Sequence, residues 1–294
     1  MDTRPLRLFL ALAETLHFGR AGDRCHMSPS AVSRTIRQLE DELGVTLFLR
    51  DNRSVSLTRE GRRFQQYARE ALAQWDSLRH SMQESGRVLQ GELSLYCSVT
   101  ASYSFLYDIL SRFRVDYPGI EIKLHTGDPA QAMDRVLTGR EDIAIGARPD
   151  GALPRGLAFR PILRSPLLFI APSDQPRLAE ALSGPARAEA WREVPMILSE
   201  QGLSRQRLDQ WFRTLGVTPR IYAQVSGNEA IVSMVSLGFG VGVAPRIVLE
   251  RSPLAERTRA LQVTPALADY EVGLFTREKR LADPVIQALW SQPR

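Results

Sequence analysis

Two groups of side chains in this 294-residue chain have the types and spacing to do chemistry. In both, the chemistry is hydrogen bonding rather than bond making. The first group is Ser28-Pro29-Ser30, followed by Ser33, Arg34 and Arg37. On a helix, Ser30, Ser33, Arg34 and Arg37 share one face, and short hydroxyls with long guanidiniums suit base edges and phosphates in a DNA major groove. Ser28 is a good N-cap, and Pro29 fits the first turn, where a missing N–H costs nothing. The second group lies between residues 98 and 228. Ser98, Thr100, Ser102 and Ser104 follow one apolar run, and Gln201, Gly202, Ser204 and Arg205 follow another. Thr126, Asp128 and Asn228 begin or precede further helical patterns. Hydroxyls and open N–H groups at helix starts suit a carboxylate with a neighbouring hydroxyl, although each hydroxyl alone has the plainer reading of an N-cap.

Catalysis has no such support. The four histidines are scattered, with no H-E-x-x-H, nucleophile elbow or paired metal spacing. Cys25 and Cys97 form no C-x-x-C, and they read as buried reduced thiols rather than a redox pair. Gly-Phe-Gly-Val-Gly at 238–242 follows a helical pattern and precedes a strand, the reverse of a dinucleotide-binding context, so it reads as a turn. The expectation is no catalytic residue, no metal, and no cofactor beyond a small organic acid bound as effector.

The elements that must position the first group can be read from periodicity. Val32, Ile36, Leu39 and Leu43 recur at steps of four, three and four, which predicts a helix with this side as core, closed by Gly44. Leu6, Phe9, Leu10 and Ala13 predict an amphipathic helix over 4–16, and Phe18 and Ala21 open a second. Leu47 and Leu49 alternate with Phe48, a DNR turn follows, and Val55 and Leu57 alternate with serines. That is a hairpin wing whose Arg50 and Arg53 flank the tip, in reach of phosphates or the minor groove. Thr58 then caps a helix from 59 to 87. Along it Phe64, Ala68, Ala71, Trp75, Leu78 and Met82 keep a 3.5-residue repeat. We read this seam as the contact between two copies, the alternative being a helix packed on its own domain.

From Gly91 the texture changes to short apolar runs alternating with helical patterns, which predicts parallel sheets with crossover helices in two tandem α/β units. EVGLFT and the last helix, 284–290, return to the first unit. Residues 1–63 hold eleven arginines against eight acidic residues, and the whole chain carries +5, which permits an anionic partner. With Asp2 near the start and no long apolar run, the expectation is a cytoplasmic protein with no membrane partner.

SPSAVSRTIRQLEDELG and LFLRDNRSVSLTREG resemble the recognition-helix and wing patterns of the LysR-type transcriptional regulators, and the resemblance runs over essentially the whole chain. It implies an N-terminal all-α winged helix-turn-helix domain (1–58), a linker and dimerisation helix (59–90) and an α/β effector domain (91–294). The effector domain would have the type 2 periplasmic-binding-protein-like fold, with subdomain I at 91–163 and 267–294 and subdomain II at 164–266. It also implies double-stranded DNA, RNA polymerase and further copies of the chain as partners, in a homodimer or homotetramer. One departure matters: the family's Gln-Pro after the capping Ser is Pro29-Ser30 here, so a Gln base contact does not carry over. Ser33 and Arg34 are then the base-edge candidates, with Ser28, Ser30, Arg37, Arg50 and Arg53 on the backbone.

CSVTASYS, HTGDPAQAMDRVLTG, QGLSRQRLDQWFR and GNEAIVSMVSLGFGVGVAP further resemble family members that activate the acetohydroxy acid isomeroreductase gene. This implies a 2-aceto-2-hydroxy acid effector, acetolactate or acetohydroxybutyrate. The rival readings are a LysR-type regulator of another pathway, a small-molecule enzyme and a solute-binding protein for transport.

Overall fold

A computed structural model describes residues 2–50, 54–83 and 89–292, the side chains of 77 and 79–83 excepted. The chain divides into two compact units, Met1–Arg87 with Thr138–Arg140, and Val88–Leu137 with Glu141–Arg294.

The first unit comprises α1 (Arg4–Thr15), α2 (Phe18–Cys25), α3 (Pro29–Leu43), β1 (Phe48–Arg50), β2 (Val55–Leu57) and α4 (Arg59–Gln83). Ser28 Oγ accepts the Ala31 N–H at 3.3 Å to start α3, and Gly44, at φ +68°, ends it in a left-handed turn. The core gathers Leu8, Phe9, Leu12, Ala21, Val32, Ile36, Leu47 and Phe48. Phe9 is at its centre, with ring centroids 5.2 Å from Phe48 and 4.8 Å from Phe64. Leu43, expected in the core, is 44% exposed because the last turn of α3 extends past it. The wing pairs β1 with β2 antiparallel. Its inward residues are Leu47 and Phe48, while Leu49 faces out, because the strand begins only at Phe48 and Leu47 belongs to the approach.

Thr58 Oγ1 accepts the Gly61 N–H at 2.8 Å and caps α4. The expected seam divides in two. Phe64, Ala68 and Ala71, together with Leu72, pack into the core of their own unit, drawn in by the edge of the Phe64 ring against Phe9. Trp75 is half-buried and Leu78 is 47% exposed. The Met82 side chain and the expected continuation of the helix to 87 lie outside the described residues.

The second unit runs β3 (Gln90–Cys97), α5 (Val99–Tyr103), α6 (Phe105–Asp116), β4 (Gly119–Thr126), α7 (Ala132–Leu137), β5 (Ile143–Ala147), β6 (Leu157–Ser165), β7 (Leu167–Pro172), α8 (Pro176–Leu182), β8 (Gly184–Pro185) and α9 (Ala188–Glu193). It continues β9 (Pro195–Ser199), α10 (Leu203–Leu215), β10 (Arg220–Val225), α11 (Asn228–Ser236), β11 (Val241–Pro245), α12 (Arg246–Arg251), β12 (Thr258–Leu261), β13 (Val263–Thr264), β14 (Tyr270–Arg277) and α13 (Pro284–Trp290).

Two five-stranded sheets result, in the orders β4-β3-β5-β14-β6 and β10-β9-β11-β7-β12. The expectation of parallel sheets holds only for β4, β3 and β5 in one and β10, β9 and β11 in the other. β14 runs antiparallel between β5 and β6, and β7 antiparallel between β11 and β12. β7 follows directly from β6 of the other sheet, and β14 follows β13, which pairs with β8 in a separate two-stranded sheet. Neither arrives through a crossover helix, so the constraint that keeps βαβ strands parallel does not act on them. Phe113, Leu93, Leu95, Ile143, Leu274 and Leu289 fill the first core. Phe169, Trp191, Trp211 and Phe212 anchor the second, with Phe169 4.8 Å from both tryptophan rings. Arg207 clasps the two halves: it pairs with Asp150 at 2.7 Å and donates to the Ala268 and Asp269 carbonyls at 2.8 Å. The same hydrogen bonding holds the Asp150 carboxyl below its usual range.

Candidate functional site

In the first unit, the N-terminal half of α3 presents Ser30, Arg34 and Arg37 exposed and Ser33 half-buried on one face. Ser28 Oγ caps the helix and lies 3.1 Å from Ser30 Oγ. Arg34 and Arg37 make no ion pair or side-chain hydrogen bond among the described residues, so both guanidiniums are free to bind. Arg50 differs from the expectation. Its guanidinium pairs with Glu40 at 2.7 Å and lies over the Phe18 ring at 5.3 Å, so it is engaged within the domain rather than extended to phosphate. Glu40 also accepts the Leu47 and Phe48 N–H groups at 2.8 and 3.1 Å, tying α3 to the wing. Sequence reasoning missed Glu40, although it stands in the quoted motif one residue after the core Leu39. Arg53 lies outside the described residues.

In the second unit, a cavity of about 310 Å³ opens between the two sheets. Asp128, Ala130 and Met133 line it from one side, and Ser199, Gln201, Gly202, Ser204, Gln206, Gly227 and Asn228 from the other, with Tyr270 at the crossover. Five expected residues therefore meet: Asp128, Gln201, Gly202, Ser204 and Asn228. Gly202 starts α10 at φ +93° and Gly227 starts α11 at φ +84°, and neither helix has a side-chain cap. The first turn of α10 has no acidic residue and no side-chain cap, so its dipole faces the cavity without a compensating carboxylate, the Ser204 backbone being engaged by the Tyr270 phenol. A Cβ on Gly202 would lie 2.9 Å from Ala130 Cβ, so glycine is needed there for close approach as well as for backbone angle. The Asn228 side chain is only 7% exposed, lines the cavity and has no hydrogen-bond partner among the described residues. Tyr270 adds a phenol whose pKa burial pushes up, against the pull of hydrogen bonds with Ser204, so it stays neutral.

The other expected residues are placed elsewhere. Ser98 Oγ caps α5 by accepting the Ala101 N–H, while Ser102 and Ser104 donate to the Val99 and Ala101 carbonyls. These three hydroxyls serve their own short helix. Thr100 is buried and donates to Glu229. Thr126 is exposed at the end of β4. Arg205 turns away to Asp209, the Ser199 carbonyl and Gln224. Among the cavity residues not anticipated, Met133, Ser199, Gln206, Gly227 and Tyr270 carry polar or polarisable groups or shape a helix start, and they lie far apart in the chain. Only Gly227 carried a signal, as the glycine before a helical pattern. Cys97 is fully buried, and burial pushes its thiol up to about 12, which leaves no thiolate for redox chemistry near neutral pH. Among the described residues no cluster of three or more His, Cys, Asp or Glu could hold a metal, and no helix is long and apolar enough to cross a membrane.

A helix-turn-helix with a wing, followed by two α/β halves around a small polar cleft, defines the class. Residues 3–62 match the bacterial regulatory helix-turn-helix protein, lysR family, and residues 86–293 match the LysR substrate binding domain. The chain belongs to the LysR family of transcriptional regulators. It is 44% identical to the HTH-type transcriptional activator IlvY of Salmonella typhimurium, covering 99% of this chain and 98% of that protein. It is 38% identical to IlvY of Haemophilus influenzae over 99% of each. Among solved structures, a full-length OxyR variant from Pseudomonas aeruginosa shares 25% identity, with a TM-score of 0.71, and covers 99% of this chain and 94% of that one. The LysR family regulator CbnR, 22% identical with a TM-score of 0.65 over 99% and 97% of the two chains, shares the fold.

Proposed function

We propose that this regulator binds DNA sequence-specifically through Ser33 and Arg34 and activates a branched-chain amino acid biosynthesis gene. In this reading a 2-aceto-2-hydroxy acid, acetolactate or acetohydroxybutyrate, is its effector. The protein acts as a homodimer or homotetramer in the cytoplasm, engages RNA polymerase, and performs no catalysis. The observation that carries the effector class is the uncapped N-terminus of α10 opening at Gly202 into a small cavity beside the unpartnered Asn228 amide. A helix N-terminus favours an anion, and a neutral amide suits an adjacent hydroxyl or ketone. At about 310 Å³ the cavity is at the small end of ligand pockets, which matches an acid of this size. The likeness to IlvY over nearly the whole chain supports the pathway.

Ligand in the cleft would favour one closure of the two halves over another, and so alter how the oligomer contacts DNA. The test is a footprint on the DNA flanking this protein's own gene, with and without acetolactate. The expected result is protection whose extent changes with the ligand. Protection that ignores acetolactate retains the DNA-binding role and rejects the effector; no protection rejects the recognition surface.

A further inference from the structure

Two helix starts, those of α10 and α11, line the cleft, and one side chain joins the second of them to a third, the start of α5. Glu229 lies in the first turn of α11, where a carboxylate complements the helix dipole. Its Oε1 accepts both the Thr100 N–H, at 2.7 Å, and the Thr100 hydroxyl, at 2.6 Å, at the start of α5. This contact joins residues 129 positions apart, one from each half of the effector unit. A Cβ on Gly227 would lie 3.3 Å from the other oxygen, Oε2, so the carboxylate stands directly behind a residue of the cavity wall. No cation pairs with Glu229 among the described residues: the partners of its side chain are the neutral Thr100 donors. Asp128 adds a second negative group to the lining, which includes no Arg, Lys or His. Of the three, the start of α10 is the one with neither a side-chain cap nor an acidic residue in its first turn.

We propose that Glu229 is a specificity-determining residue: a built-in carboxylate that leaves room for one ligand carboxylate and rejects acids carrying two. The inference rests on the acid-binding reading of the cleft and adds to it the charge class of the ligand. A monocarboxylate places its anion at α10 and its neutral hydroxyl and ketone toward Asn228. A dicarboxylate of similar size must bring its second charge toward Glu229 and Asp128, with no basic side chain to offset it. Like charges close together in a site shielded from water repel strongly.

The experiment is isothermal titration calorimetry of the full-length protein at neutral pH with two acids. Acetolactate has one carboxylate on a carbon bearing a hydroxyl and a methyl group. Citramalate keeps that centre and carries a second carboxylate, and both acids are fully ionised at this pH. The wild type is expected to bind acetolactate at least tenfold more tightly than citramalate. Glu229→Gln keeps the shape and an oxygen to accept from Thr100, and should bring the two Kd values within about threefold of each other. Thr100→Val, which removes the hydroxyl donor but keeps the Glu229 charge, should retain the tenfold preference. An unchanged ratio in Glu229→Gln, or equal binding of the two acids by the wild type, overturns the role of Glu229 while leaving the cleft reading intact. Binding of neither acid by any of the three proteins overturns the cleft reading and this inference with it.

Discussion

Two arginines that look alike in sequence, Arg34 and Arg50, have opposite roles in the structure. Arg34 stands free on the exposed face of α3, whereas Arg50 is held between Glu40 and the Phe18 ring. Arg34→Ala should therefore weaken specific DNA binding by about 1–3 kcal/mol and relax preference at one base pair, with little effect on thermal stability. Arg50→Ala should do the reverse. It leaves the half-buried Glu40 carboxylate without its cation and costs about 1–2 kcal/mol of stability in the DNA-binding unit, with a smaller effect on the salt dependence of binding. Thermal melts alongside binding isotherms at several salt concentrations separate the two. An Arg34→Ala protein that melts early with unchanged DNA affinity would reverse the assignment. The free guanidinium was legible in sequence because it depends only on helix phase. The engaged one was not, because Glu40 lies ten residues away and is brought to Arg50 by the turn into the wing.

Helix starts decide the effector cleft, and they divide by how they are capped. Ser28 and Ser98 cap their own helices, whereas α10 and α11 begin at glycines with positive φ and no side-chain cap. A capped end has its N–H groups satisfied, so the open ends are where a ligand gains most. Replacing Gly202 with Ala should strain the turn and drive a methyl group against Ala130. The expected outcome is an effector affinity reduced at least tenfold, read by calorimetry, together with a loss of about 1 kcal/mol in stability. Unchanged affinity in a folded Gly202→Ala protein would place the ligand elsewhere. The hydroxyl-rich stretch from Ser98 to Ser104 shows how far sequence reading reached. It located a helix start correctly, but whether a hydroxyl caps its own helix or faces the cleft depends on contacts such as Thr100 with Glu229, across more than a hundred residues.

Over the whole molecule, periodicity made the elements and the two α/β halves legible, while the mixed sheets were not, because β7 and β14 follow within a few residues of strands outside their own sheets, and periodicity does not show which sheet a strand joins. The same division appears in α4, whose 3.5-residue repeat serves two masters. Its first half completes the core around Phe9, and its second half exposes Leu78 at 47%, with Tyr67 exposed on the same helix. A second copy of the chain is the expected occupant, since the repeat continues past the point where the domain's own core ends. Leu78→Glu should lower the mass measured by light scattering to that of a smaller assembly at micromolar concentration. A variant that keeps its full mass would remove the outer half of α4 from the interface.

The insertion of β14 between β5 and β6 also sets an order of assembly during synthesis. The helices and wing of the DNA-binding unit are made once the ribosome has passed α4, but the first sheet of the sensor lacks an interior strand until Tyr270–Arg277 emerges, after all the other described strands. A premature stop before Tyr270 thus removes more than a tail. It leaves β5 and β6 without their shared neighbour, so the product is a competent reader of DNA joined to a sensor that cannot fold. In a cell that also makes the intact chain, such a fragment would compete for operator DNA and for oligomer partners without answering to the effector.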